Sequence, residues 1–188
     1  TRKVYHCEYV DAQGRRHPVN GYMSDILLHD NKVYAANTYG EVWQWQADLH
    51  DADCMLFEPL ELPLSSPVIK MYPYGGCGQM LVLTKESLAL VDLSDKRVLA
   101  ETPVSNITKV DNSGHYTLYY SSRMDAVIIG AGIGSSTYAY RFSDGVFKVL
   151  DIDLPNDVKD VIDYDGATYF ATDGGGLVRW ESETSSIV

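Results

Sequence analysis

The stretch VIIGAGIGSS, Val127 to Ser136, sets glycines after an apolar run, the arrangement in which main-chain N–H groups cradle a phosphate. A dinucleotide loop needs G-x-G-x-x-G opening a helix. Here Gly130, Gly132 and Gly134 leave Ser135 where the third glycine belongs, and no helical pattern follows. The stretch is therefore read as a widened hairpin loop. The acidic turns DIDLPND and DYDG lack the D-x-D-x-D-G spacing and distal Glu of a calcium loop. His6, His17, His29, His50 and His115 show no H-x-x-x-H spacing, so neither a metal site nor a Ser-His-Asp arrangement is legible. No metal, no cofactor and no catalytic residue are expected. Cys7, Cys54 and Cys77 are odd in number without C-x-x-C spacing, and are expected to be reduced packing residues.

The elements that carry these residues repeat. MSDILLHDNKVYAANTYGEVWQWQAD, from Met23, aligns without a gap on VKDVIDYDGATYFATDGGGLVRWESE, from Val158. Asp25 meets Asp160, Tyr34 meets Tyr169, Ala36 meets Ala171, Gly40 meets Gly175 and Trp45 meets Trp180. Their separation is three units within the range of about 40 to 50 residues of a propeller blade, and two diverged copies lie between. Pro18, Pro63, Pro103 and Pro155 fall shortly before each new copy, where a residue that cannot donate to a strand ladder belongs. Within each copy, short runs such as KVYAAN, QMLVLT, DAVIIG and ATYFAT have the period of a strand, and HDNK, SDKR, SDG and DYDG read as hairpin tips. The glycine run Gly174 to Gly176 falls in such a turn, where the first copy has TYGE. The expected class is all-β: a β-propeller of about four blades of four antiparallel strands. Its divisions are a partial blade over 1–20 and blades over 21–64, 65–104, 105–155 and 156–188.

The alignment exposes a column of charge. The third position of each first strand is Asp25 in MSDI, Lys70 in VIKM, Lys109 in ITKV and Asp160 in VKDV. These are candidates for the lining of a central channel, with Asp25 paired to Lys70 and Lys109 to Asp160. Trp45, Tyr140 and Trp180 are expected to pack between adjacent blades, with Trp43 and Tyr138 turned to the opposite face. Tyr22, Tyr39, Tyr72 and Tyr74, with Asp173, are the candidates for a contact surface on the loops.

With 15 basic and 26 acidic residues the net charge is −11, which argues against nucleic acid as a partner. No apolar run approaches the roughly 20 residues that cross a bilayer as a helix, so direct membrane insertion is not expected. The segment VYHCEYVD matches the third strand of the other copies, and the end of the chain also supplies a third strand. Two strands are thus expected to stand unpartnered at the start. The chain is accordingly read as a slice of a longer propeller, or as one completed by a partner chain, in preference to a self-closed ring.

PNDVKDVIDYDGATYFATDGGGLVRWESETSSI closely resembles the two-component regulator propeller repeat of bacterial sensor domains, in its DV..V strand, D.DG turn, T..GGL hairpin and final aromatic. QMLVLTKESLALVDLSDKRVLAE resembles the quinoprotein-type repeat, also a blade. The resemblance implies a non-catalytic module that binds a protein partner or a small ligand, such as a carbohydrate, through its loop face. It implies a periplasmic or extracellular setting if the sensor likeness holds. The alternatives are a structural propeller in a larger assembly, such as a viral tail or multisubunit complex, and a propeller hydrolase or quinoprotein.

Overall fold

The computed structural model describes residues 6–46, 54–64, 66–76, 78–104, 116–131, 134–181 and 184–187. Every regular element among them is a strand. The hairpin tips explain why. Asp30-Asn31, Asp144-Gly145 and Asp165-Gly166 each join two strands through two residues of positive φ, the left-handed turn whose twist matches that of the strands it connects.

The first sheet holds β1 (His6–Val10), β2 (Arg16–Pro18), β3 (Met23–His29), β4 (Lys32–Asn37), β5 (Val42–Trp45) and β6 (Cys54–Pro59) in the order β2-β1-β6-β5-β4-β3. The second holds β7 (Val68–Pro73), β8 (Gln79–Thr84), β9 (Ser87–Asp92) and β10 (Arg97–Pro103) in the order β10-β9-β8-β7. The third runs β11 (Thr117–Ser121), β12 (Ala126–Gly130), β13 (Tyr138–Ser143), β14 (Val146–Val149). The fourth runs β15 (Val158–Tyr164), β16 (Ala167–Thr172), β17 (Gly176–Glu181), β18 (Thr184–Ile187). The chain divides into two compact units, Thr1–Thr84 with Leu90–Val98, and Lys85–Ala89 with Leu99–Val188.

Two features depart from the sequence reading. The segment expected as a partial blade is, in its described part, the hairpin β1–β2. It joins the first sheet, with β1 parallel to β6 in the register His6 to Cys54 and Tyr9 to Phe57. Its strands are therefore not unpartnered, and β18 gives the last sheet its fourth strand. The first described strand of the third sheet is Thr117–Ser121, and the expected ITKV lies outside the described residues. Finally, Trp43 and Trp45 share a face, because side chains two apart on a strand point the same way. Both pack with Phe57, Tyr9, Cys7, Met55 and Val19. Trp45 therefore lies against the N-terminal hairpin of its own sheet, where an inter-blade position was expected. Burial raises the pKa of the Cys7 thiol there.

Trp180 does pack between sheets. In the second unit Val161 and Phe170 of the fourth sheet are buried against Met124, Ala126, Ile128 and Ala139 of the third, with Trp180 half-buried beside them. A polar bridge runs along the same contact. Asp163 accepts from Ser121 Oγ at 2.7 Å and from Thr168 Oγ1 at 2.8 Å, and its N–H donates to Tyr119 Oη at 2.9 Å.

Candidate functional site

The charged column starts from a repeated irregularity. Register shifts lie between Met23 and Asp25, Val68 and Lys70, and Val158 and Asp160, so a bulge at one repeat position aims the residue after it. Lys70 Nζ donates to Asp25 Oδ1 at 2.9 Å, the expected pair, and the Met71 N–H donates to Asp25 Oδ2 at 2.8 Å. Asp160 is exposed and its Oδ1 accepts from the Val161 N–H at 2.9 Å. Lys109 lies outside the described residues. In the third sheet Thr117 stands opposite Gly130, and its Oγ1 reaches Val158 O of β15 at 3.5 Å. Gly130 is where the glycine-rich loop leaves β12, and a Cβ there would stand 2.7 Å from Val158 O. That glycine thus serves close packing of two strands.

The tyrosine candidates fall into two pairs. Tyr22 and Tyr39 are 83 % and 65 % exposed and stand together where β3 begins and β4 turns into β5. The Thr38 N–H donates to Tyr22 O at 2.8 Å, and Gly21, at φ +78°, leaves room for the Tyr39 ring. Tyr72 and Tyr74 are half-buried at the far end of β7. Asp25 facing Lys70, and Asp30 Oδ2 accepting the Gly78 N–H, show β3 and β7 running the same way, so the two pairs lie at opposite ends. Asp173, on the β16–β17 turn, is paired to Lys159 Nζ at 2.7 Å.

A groove beside Tyr39 has no counterpart in the sequence reading. It measures about 570 Å³, opens between the β4–β5 turn and the chain after β6, and is lined by Tyr9, Glu41, Trp43, Pro59, Glu61 and Leu62 among others. A second groove of about 530 Å³ shares Tyr9, Pro59 and Glu61 and reaches Asp11 and Lys96. Trp43 meets the Tyr9 ring at 4.8 Å, and Tyr9 stacks on His17 at 5.1 Å. The buried Trp43 Nε1–H has no acceptor among the described residues. Asp11 fixes the hairpin side. Its Oδ1 accepts the Gln13 and Arg15 N–H groups, while its Oδ2 meets Arg15 Nε at 2.8 Å and His17 Nε2 at 2.9 Å. The Arg15 N–H, and then His17, hold this carboxyl well below the usual range. Aromatic faces beside two carboxylates suit a ligand with an apolar face and donors at its edge. Among the described residues no three His, Cys, Asp or Glu side chains gather to hold a metal.

No family model and no curated protein matches the chain. Solved structures do. The computationally designed Ika4 protein is 14% identical with a TM-score of 0.58, over 88% of this chain and 94% of that one. A chain of the mitotic checkpoint complex is 10% identical at 0.60, over 86% and 51%. BamB from Moraxella catarrhalis is 13% identical at 0.59, over 90% and 50%. The fold is a β-propeller of about four blades. The chain spans about half the length of the checkpoint-complex and BamB chains it matches.

In propeller terms, a side chain near the start of a first strand reaches the next blade, after a bulge at Asp25 and without one at Thr117. Asp25 of the first blade reaches the first strand of the second, and Thr117 of the third blade reaches the first strand of the fourth. The aromatic groove is built mainly by the first blade, with Ser66, Pro67 and Val68 of the second also lining it, and the sequence offers no local signal for it. Its wall needs Tyr9, brought in by the parallel pairing of β1 with β6.

Proposed function

We propose that the chain is a non-catalytic propeller module that binds a carbohydrate on the loop end of its first blade. The groove floored by Trp43 and walled by Tyr9, with Glu41 and Glu61 at its rim, carries this reading. A sugar ring offers a C–H face to an aromatic wall and hydroxyl donors to carboxylates. Exposed Tyr22 and Tyr39 stand at the same end and extend the aromatic surface. The likeness of residues 155–187 to the two-component regulator repeat fits such a module serving as the sensing part of a receptor.

The test is a titration of the full chain with cellohexaose, chitohexaose and mannohexaose, followed by the indole ¹⁵N–¹H resonance of Trp43. A saturable shift with one sugar, lost in Glu61→Gln and weakened in Tyr9→Ala, is the expected result. Absence of a saturable shift with all three sugars rejects the reading.

A further inference from the structure

Asp25 stands opposite Ala36 and Asp160 opposite Ala171, each after the same bulge. The two carboxylates therefore occupy one position in two blades. In the first blade the face they share carries Tyr34, Ala36 and Val42, all buried, because β7 packs across β3 and β4. In the fourth blade the same face is open. Ile162 is 57 %, Tyr164 70 % and Leu177 42 % exposed. Among the described residues the Asp160 carboxylate accepts only the neighbouring Val161 N–H. Arg179 lies on this face too, with its guanidinium held by Glu181. The opposite face of the blade is packed, through Val161 and Phe170.

We propose that this open face docks the first strand of a further propeller blade, one that presents a lysine and a main-chain N–H to Asp160 as β7 presents Lys70 and Met71 to Asp25. The apolar row calls for an apolar strand. A strand without a base would bury Asp160 unpaired, which opposes docking. A second copy of this chain offering its own first blade would set Asp25 at that register, placing two carboxylates together. The charge therefore selects a basic blade over self-association. This inference concerns a different blade from the aromatic groove and stands apart from the carbohydrate reading.

The test extends the full chain at its C-terminus with a further copy of residues 66–104, which contains β7, and maps side-chain exposure by hydroxyl-radical footprinting. Labelling of Tyr164 is expected to fall to the level of buried Tyr34, while Tyr22 is unchanged. Asp160→Lys in the extended chain is expected to restore Tyr164 labelling, and adding Lys70→Asp in the appended copy to suppress it again. Tyr34 reports throughout that the fold is intact. The proposal is overturned if Tyr164 labels equally with and without the added blade, or if protection survives Asp160→Lys. It is also overturned if the unextended chain protects Tyr164 in a concentration-dependent way, which makes a second copy the occupant.

Discussion

Lys70 Nζ stands 2.9 Å from Asp25 Oδ1, while the other oxygen of that carboxylate takes the Met71 N–H at 2.8 Å. The carboxylate is thus bound at both ends and its side chain is 10% exposed, against 34% for the lysine. The two partners are not equivalent. Asp25→Ala strands a main-chain donor and is expected to cost about 1–3 kcal/mol, whereas Lys70→Ala removes a half-exposed ion pair of roughly 1 kcal/mol or less. Urea unfolding of the two variants reads the order directly, and a larger loss for Lys70→Ala would show that the lysine dominates the contact.

Glycines of similar φ should respond differently to the same substitution. Gly40 has φ +82°, and a Cβ there would stand 2.2 Å from Pro67 Cβ and 2.4 Å from Pro67 Cα. Gly174 has φ +83° and nothing within 4 Å. Gly174→Ala should cost only the left-handed strain of about 1–2 kcal/mol. Gly40→Ala adds an overpacking cost of about 1–3 kcal/mol. Thermal unfolding that ranks them equally would mean that the Pro67 segment moves aside freely.

Acid sensitivity should trace in part to Asp11. Its carboxyl is lowered chiefly by the Arg15 N–H and by His17, so the folded state holds this proton less tightly than the unfolded chain. The contribution is complete above the unfolded carboxylate value and is lost as the pH falls through the lower folded one. The stability gap between the native chain and Asp11→Asn should be constant at neutral pH and narrow from about pH 5 downward. A ¹³C titration that finds the Asp11 carboxyl mostly protonated at about pH 3, like an ordinary aspartate, would contradict it.

The repeat itself was legible because spacing preserves what a blade needs. Asp25 and Asp160 align in sequence, and the structure places a bulge before each and an alanine opposite each. The two-residue tips were legible too, since Asp-Asn and Asp-Gly suit positive φ at both positions. What escaped were pairings without a local signature. TLYYS has as good a strand pattern as ITKV, and only its pairing with β12 marks Thr117–Ser121 as a strand of the third sheet. The parallel partner of β1 lies far along the chain, so nothing near Cys7 or Tyr9 announces β6. The aromatic groove inherits that opacity, because its wall and floor meet only after the pairing. Tyr22, Tyr39, Tyr72 and Tyr74 were identified by type, but strand direction decides which end each occupies.

The parallel join of β1 to β6 also orders assembly in time. Hairpins such as β3–β4 and β15–β16 close two-residue loops, a microsecond event. Bringing His6 beside Cys54 closes a much longer loop, whose entropy must be met before any contact rewards it. The first blade is therefore expected to zip its meander first and to receive β1–β2 late, with β6 a bare ladder in the interval. Once seated, the border passes to β2, three residues of Arg16, His17 and Pro18, whose charge and missing donor discourage another strand from adding to it.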